Sequence, residues 1–176
     1  RLLPVFARAL DLPADYFEPH FTERETFSFE RVSHYPPDGL EAGQYSCGPH
    51  TDGSFLTMLA TSEVPGLEIG TPEGEWIKAP LWRGAFLVNS GDMLTRWSNG
   101  RFLSTPHRVI NTSGDDRYAI PFFMQPNPDA MLRCLPTCFG SNNPPKEEPI
   151  SCADYCKYYI ENNFVHYDDG AEAVVS

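Results

Sequence analysis

Four short apolar stretches follow one another in the middle of the chain: SFLTMLA at 54–60, GLEI at 66–69, EWIKA at 75–79 and GAFLVN at 84–89. Turn residues such as Thr71-Pro72-Glu73-Gly74 separate them. Stretches of the same kind continue at 93–97, 102–111 and 117–125. Short strands at intervals of about ten residues are typical of an antiparallel sandwich or barrel, so we expect a mainly β domain.

Two hairpins are predicted at the end of this array. The dipeptide Asn99-Gly100 follows the expected strand 93–97, and Asn-Gly favours tight hairpin turns. The stretches 102–111 and 117–125 are joined by Thr112-Ser113-Gly114-Asp115-Asp116. We expect these two strands to pair with each other as neighbours.

Ahead of the array, the sequence predicts two short helices and a strand. Leu2–Leu10 places apolar residues at helical spacing, and Asp11 is expected to cap a second helix that runs through Phe17. Residues 26–35 alternate between apolar and polar side chains, which predicts a strand stopped by Pro36-Pro37-Asp38-Gly39.

After the array, the chain predicts a loop, a helix and a tail. Residues 127–149 are rich in Pro and polar residues, which indicates a surface excursion or loop. Ser151, with Asp154 three residues on, is expected to cap a helix whose Tyr155, Tyr159 and Ile160 share one face. Residues 167–176 are expected to fray. We treat 1–176 as a single domain, with a core of about 26–128 and a C-terminal extension at 129–176.

Composition limits the classes of function. Hydrophobic residues make up 41% of the 176 residues, enough for a globular core. The net charge is -11 and no run of Lys or Arg occurs, which disfavours a nucleic-acid partner because no basic surface exists to displace counterions. No stretch has the apolar length that spans a membrane, and Arg1–Leu10 lacks the features of a signal peptide. The sequence starts without Met and in the middle of a predicted helix, so we expect an N-terminal part to be missing. Whether that part contained a targeting sequence is left open.

The cysteines predict a reducing compartment. Their number, five, is odd, which argues against a complete disulfide framework and favours the cytoplasm. Cys134 and Cys138, and likewise Cys152 and Cys156, form C-x3-C pairs. Such pairs can hold zinc, but buried cysteines that pack as small apolar side chains explain them better.

A candidate metal site lies just before the first of the apolar stretches. His50 and Asp52 are two residues apart, so on a strand both side chains point to one side. Gly48 and Gly53 bracket them and are expected to permit tight backbone geometry. His107 supplies a second imidazole from a later strand. Taken alone, an H-x-D sequence is often a chance turn, and His107 is often an ordinary packed or surface histidine. Together the three residues form a set of two histidines and one carboxylate. Such a set suits Fe(II) and leaves coordination positions open for other ligands.

Arg117 begins the last strand of the array, ten residues after His107. A planar guanidinium near a metal is suited to hold the far carboxylate of a dicarboxylic acid in bidentate fashion. The plain alternative for Arg117 is a solvated charge or a surface ion pair.

Several stretches match one known family in unbroken order from about residue 31 to 128. They are SHYP (33–36), GPHTDGSFLT (48–57), GLEI (66–69), VNSGD (88–92), RWSNG (96–100), STPHRV (104–109) and RYAIPFF (117–123). With these motifs the chain resembles the isopenicillin N synthase-like family of Fe(II)/2-oxoglutarate-dependent dioxygenases. The resemblance implies a double-stranded β-helix (jelly roll) with flanking helices.

The resemblance also implies roles for individual residues. His50, Asp52 and His107 would bind Fe(II), and Arg117 and Tyr35 would hold 2-oxoglutarate. Phe123 corresponds to an aromatic residue of the substrate pocket, although core packing explains it nearly as well. Two positions depart from the family: Ala119 stands where a Ser usually donates to 2-oxoglutarate, and Ser33 replaces a longer Asn, which leaves Ser33 as a candidate cosubstrate contact. Family members also carry an N-terminal region that this sequence lacks.

The implied activity is oxidation of a small organic molecule by O2, through hydroxylation, desaturation or ring formation, with release of succinate and carbon dioxide. The family mostly acts on free small molecules, often in secondary metabolism. Ala119 keeps open an iron oxidase of the same fold that does not use 2-oxoglutarate. An inactive jelly-roll binding module is the alternative from another class. The substrate and the oligomeric state are not readable from the sequence.

Overall fold

The computed structural model describes residues 1–22, 26–37, 41, 43–61 and 63–163. Its helices are α1 (Leu3–Ala9), α2 (Asp92–Trp97) and α3 (Cys152–Asn163), with a 3-10 turn at Glu18–His20. Its strands are β1 (Phe29–Glu30), β2 (Ser33–Tyr35), β3 (Cys47–His50), β4 (Leu56–Thr61), β5 (Leu67–Gly70), β6 (Trp76–Lys78), β7 (Phe86–Ser90), β8 (His107–Val109), β9 (Arg117–Met124), β10 (Met131–Leu132) and β11 (Ile150–Ser151). None of the helices within these ranges is long and apolar enough to cross a membrane.

The strands form two main antiparallel sheets that face each other across a cavity. One sheet has the order β1-β9-β4-β7, with β2 also paired to β9, and the other has the order β3-β8-β5-β6. Leu59, Leu87 and Pro121 of the first sheet and Ile69 and Val109 of the second line the same cavity. This arrangement confirms the predicted mainly β, jelly-roll fold with flanking helices.

The main apolar core lies outside the two sheets, where the helices meet the start of β4. Phe55, at the entrance to β4, has its ring centroid 5.2 Å from that of Phe17 and 5.6 Å from that of Trp97. Leu10 of the N-terminal segment and Cys152 of α3 belong to the same buried cluster. The core therefore anchors the segment between β3 and β4, which carries Asp52.

The predicted strand at 93–97 is wrong, because these residues form α2. Met93, Leu94 and Trp97 are buried on one side, as a helix with a partly buried face requires. Asn99 and Gly100 have positive φ values of 51° and 86°, and the Gly100 N–H donates to Thr95 O at 2.9 Å. An Asn-Gly pair supplies the left-handed backbone that ends a helix as readily as the one that closes a hairpin.

The predicted pairing of 102–111 with 117–125 is also wrong. β8 and β9 fall in different sheets, so the segment between them crosses from one sheet to the other. The buried Asn111 fixes this crossing, because its amide donates to Tyr35 O at 2.9 Å and Asp115 O at 2.9 Å. Alternation predicts strands but does not identify the sheet to which a strand belongs.

The N-terminal predictions hold in part. α1 confirms the first helix, but residues 11–17 form turns instead of a second helix. Asp11 has φ 58° and follows the end of α1, and its carboxylate pairs with Arg101 at 2.9 Å, so it does not cap a following helix. The strand expected over 26–35 is split into β1 and β2, which pair with different parts of β9. Asp38 and Gly39 of the predicted stop lie outside the described residues.

The C-terminal predictions are largely confirmed. Residues 127–149 form turns and loops apart from β10, which pairs with β11. Ser151 Oγ accepts from the Asp154 N–H at 3.0 Å, which caps α3 as expected. On the predicted face, Tyr155 is buried and Tyr159 is half-buried, whereas Ile160 is exposed. The tail at 167–176 lies outside the described residues.

Candidate metal centre

Three side chains meet at one end of the cavity. His50 ends β3 and His107 begins β8, and the two residues are directly opposed in the pairing of these strands. The Nε2 atoms of His50 and His107 lie 3.8 Å and 3.6 Å from Asp52 Oδ1, and one ligand atom from each residue lies within 4.8 Å of the others. Across the described part of the chain, no other group of three or more His, Cys, Asp or Glu side chains could hold a metal ion.

Both imidazoles are oriented by backbone carbonyl groups. Nδ1 of His50 lies 2.9 Å from Gly48 O, and Nδ1 of His107 lies 3.1 Å from Thr105 O. A proton on each Nδ1 donates to these carbonyls and leaves the Nε2 lone pair free for a metal. Burial lowers the pKa of His107, which favours the neutral, ligating form. A hydrogen bond to Cys47 raises the pKa of His50 to about 8, so a metal that binds near neutral pH displaces a proton there.

The Asp52 carboxylate is buried and held from one side. Its Oδ2 accepts hydrogen bonds from Thr57 Oγ1 at 2.6 Å and from Asn89 Nδ2 at 2.9 Å. Thr57 and Asn89 are cross-strand partners on β4 and β7, so the sheet itself places both donors. Oδ1 is left facing the two imidazoles, as a metal ligand requires. Both donors lie within the family motifs 48–57 and 88–92, but their role could not be predicted, because their alignment depends on strand register.

Two helices brace the loop that carries Asp52. The Tyr159 hydroxyl on α3 donates to Thr51 O at 2.8 Å, and the Asp92 N–H on α2 donates to Asp52 O at 2.8 Å. A Cβ placed on Gly53 would lie 2.8 Å from the Tyr159 ring, so a glycine is required here by the close approach of this ring and not by the backbone geometry that was expected. Gly48 was expected to matter in the same way, but a Cβ there has no atom within 4 Å.

The cavity beside the triad has a volume of about 320 Å³ and contains a buried, unpaired cation. Arg117 is 1% exposed, and its Nε and Nη1 have no hydrogen-bond partner. Its guanidinium lies 5.0 Å from the centre of the Tyr35 ring. Burial lowers the pKa of Arg117, and the nearby Tyr35 opposes this shift. A buried cation with two unsatisfied nitrogen atoms is costly, so the site fits an anionic ligand such as a carboxylate.

Some of the remaining predicted site residues line the cavity and others do not. Tyr35 and Phe123 line the same cavity as the triad and Arg117. Ala119 also lines it and is buried, so no hydroxyl is present where the family has Ser. Ser33 is paired with Ala119 in register but is not among the lining residues. All five cysteines are free thiols, and none belongs to the metal-ligand group found among the described residues, which disfavours zinc at the C-x3-C pairs.

Comparison with known proteins agrees with this geometry. The sequence model of the 2OG-Fe(II) oxygenase superfamily matches residues 17–126. A 2-oxoglutarate-Fe(II) type oxidoreductase of Emericella nidulans is 40% identical over 157 residues, which cover 87% of this chain and 44% of the relative. Kihadalactone A synthase of Citrus sinensis is 40% identical over 158 residues, which cover 86% of this chain and 47% of the relative. The crystal structure of a full-length Neurospora crassa protein with alpha-KG and thymine superposes with a TM-score of 0.84 at 27% identity and covers 92% of this chain and 51% of that chain.

The chain belongs to the 2OG-Fe(II) oxygenase superfamily. The predicted resemblance to its isopenicillin N synthase-like branch is confirmed, and Fe(II) and 2-oxoglutarate, the predicted cofactors, are those of the family. The chain spans about half the length of the curated relatives it matches. The C-terminal helix α3, which braces the metal loop through Tyr159, lies outside the residues matched to the family.

Proposed function

We propose that the chain is the catalytic part of an Fe(II)- and 2-oxoglutarate-dependent oxygenase that oxidises a small organic molecule and releases succinate and carbon dioxide. The observation that carries the proposal is the unpaired, buried Arg117 in the same cavity as the His50, Asp52 and His107 cluster. A metal cluster alone fits many activities. A metal cluster with a carboxylate receptor in the same cavity fits a cosubstrate that bridges the two.

Each residue of the site would have a distinct role. His50, Asp52 and His107 hold the metal, with Thr57 and Asn89 fixing the Asp52 carboxylate. Arg117, supported by Tyr35, receives the far carboxylate of 2-oxoglutarate. Fe(II), when bound, supplies the oxygen chemistry, in which 2-oxoglutarate is oxidised to succinate and carbon dioxide.

Two further contacts belong to the same proposal. Phe123 lines the cavity beside the triad and is half-buried, which supports it as a contact for an organic substrate. Ser33 lies beside Ala119 on the neighbouring strand and is retained as a candidate for a cosubstrate contact. We further propose that residues 1–176 act as one domain in the cytoplasm, and that the substrate is a free small molecule with no nucleic acid or membrane involved. The net charge of -11 supports the exclusion of nucleic acid.

Oxygen-dependent turnover of 2-oxoglutarate tests the proposal. The chain with Fe(II), 2-oxoglutarate and air is expected to form succinate, even slowly without a substrate, and Asp52→Ala is expected to form none. Arg83→Gln is the control, because Arg83 is 92% exposed and pairs with Glu63 on the surface. Consumption of O2 without succinate would replace the proposal with the cosubstrate-free iron oxidase. A chain that binds iron but consumes neither O2 nor 2-oxoglutarate would favour the inactive binding module.

A further inference from the structure

A second cavity adjoins the same metal ligands. Its volume is about 460 Å³, which is within the range of pockets that hold small organic ligands. His50 and Asp52 form part of its wall, so a molecule inside it reaches the metal centre. Arg31 and Phe123 line this cavity as well as the first one, so they stand where the two cavities meet.

The wall of the second cavity is largely aromatic. Phe27, Phe29, Phe123 and Tyr159 all contribute to it. The rings of Phe29 and Phe123 are stacked on each other, with centroids 4.8 Å apart and planes at 28°, so they form one aromatic pair in the wall of the cavity. Phe29 is 50% exposed and Phe27 is 43% exposed. Aromatic rings left open to water inside a cavity gain by contact with another flat apolar group.

Arg31 places a guanidinium group on this aromatic wall. It lies in the link between β1 and β2, and its guanidinium carbon is 5.7 Å from the centre of the Phe123 ring. It is the only Lys or Arg among the residues that line the second cavity, which also include His50 and Asp52. Among the described residues, none of the ion pairs involves Arg31, whereas Arg96 and Arg108 each pair with a glutamate. The charge of Arg31 is therefore available to an acidic ligand.

The guanidinium groups that line the two cavities differ in exposure. Arg117 is 1% exposed, whereas Arg31 is exposed to solvent. Water therefore solvates Arg31 when no ligand is bound, and a ligand that enters from solvent can reach it directly.

We propose that the second cavity takes a small organic acid with a flat aromatic or apolar body, whose carboxylate pairs with Arg31 while its body lies against Phe29 and Phe123. This inference rests on the proposed function, because it assigns the substrate class of the same metal centre. The acid is held by the cation at the junction of the cavities, and its apolar body fills the space beside His50 and Asp52. Neutral molecules of the same shape lose the ion pair but keep the stacking.

Binding of matched acids and amides tests the inference without turnover. The chain is loaded with 2-oxoglutarate and with Zn(II), a metal that does not activate O2. Binding of each probe is then measured by calorimetric titration. The probes are phenylacetic acid, naphthalene-2-acetic acid and indole-3-acetic acid, each beside its primary amide. We expect the acids to bind about tenfold more tightly than their amides, as for a charge-assisted hydrogen bond that is partly open to solvent.

Variants of two arginines test whether the preference for acids over amides depends on Arg31. Arg31→Gln is expected to weaken binding of the acids about tenfold and to leave the amides unchanged, because only the acids use the charge. Arg83→Gln, at a surface arginine outside the cavities, is expected to change neither. Equal binding of acids and amides, or no binding of any acid, would overturn the inference. So would an Arg31→Gln variant that loses 2-oxoglutarate instead, since Arg31 would then belong to the cosubstrate.

The two proposals fail in different ways. Succinate formation with no preference for acids removes the inference and leaves the proposed function in place. A preference for acids that depends on Arg31, in a chain that never binds 2-oxoglutarate, removes the proposed function and leaves the carboxylate site.

Discussion

The contact between Gly53 and Tyr159 makes the metal loop sensitive to a single methyl group. In Gly53→Ala, the new Cβ would lie 2.8 Å from Cγ, 2.8 Å from Cδ2 and 2.9 Å from Cε2 of the Tyr159 ring. The ring cannot move away freely, because its hydroxyl donates to Thr51 O at 2.8 Å, within the same loop. Either α3 shifts outward or the loop that carries Asp52 shifts inward.

The expected cost follows from overpacking of a closed contact. Inserting a methyl group into such a site typically costs about 1–3 kcal/mol. For a chain of this size, each kcal/mol lowers Tm by about 2–4 °C, so we expect a decrease of roughly 2–12 °C. Because the loop bears Asp52, we also expect metal affinity to fall by about tenfold or more, as when a ligand loses its orienting contacts.

Two matched variants isolate the cause. Gly48→Ala changes the glycine on the other side of His50, where a Cβ has no atom within 4 Å, and is expected to leave Tm and metal affinity unchanged. Adding Gly53→Ala to a Tyr159→Ala background should cost much less than in the native chain, since the obstructing ring is gone. Thermal unfolding and Fe(II) titration against a chelator measure both quantities. Equal effects at Gly48 and Gly53, or full additivity with Tyr159→Ala, would refute the reasoning.

Other predictions concern the Asp52 carboxylate and a buried phenol. Thr57→Val removes the 2.6 Å hydrogen bond to Asp52 and is expected to weaken Fe(II) binding by about tenfold, as measured by competition with a chelator. An unchanged affinity would show that Thr57 does not support the metal ligand. Burial raises the pKa of Tyr155 above its usual 10.0, so the folded chain keeps this proton at a pH where the unfolded chain loses it. The free energy of unfolding should therefore fall as the pH rises above about 10, by up to about 1.4 kcal/mol per pH unit. Urea titrations at alkaline pH should show a smaller pH dependence in Tyr155→Phe. An unchanged pH dependence in this variant would exclude Tyr155 as its source.

Much of the site could be predicted because its residues are close in sequence and chemically distinctive. His50 and Asp52 lie on one short segment, and His107 and Arg117 begin β8 and β9 within recognisable motifs. Those motifs need no knowledge of which strands are neighbours. The structure brings all four side chains to one cavity, together with Tyr35 and Phe123.

The supporting contacts could not be predicted in the same way. The alignment of Thr57 and Asn89 depends on the register of β4 and β7, and the approach of Tyr159 to Gly53 depends on where α3 docks. Neither leaves a local pattern in the sequence. The strand predicted at 93–97 is wrong because Asn99-Gly100 supplies a left-handed backbone that ends α2 instead of closing a hairpin.

The order of the strands was also beyond local patterns. β8 and β9 follow each other closely along the chain, yet they belong to separate sheets. The buried amide of Asn111 holds the crossing by hydrogen bonds to three carbonyl groups, those of Tyr35, Pro36 and Asp115. A side chain with contacts on both sides of a crossing is recognisable only once the fold is known. This crossing has a functional result, since it places His107 and Arg117 on opposite walls of one cavity.

An anaerobic titration of the Fe(II)-loaded chain with 2-oxoglutarate tests the central claim most directly. We predict a visible metal-to-ligand charge-transfer band that saturates with 2-oxoglutarate, is lost in Asp52→Ala, and needs far more 2-oxoglutarate in Arg117→Leu. Such a result would show that the triad holds iron and that the unpaired guanidinium receives the cosubstrate. Bound iron without a band at any 2-oxoglutarate concentration, or an Arg117→Leu variant that titrates like the native chain, would contradict it.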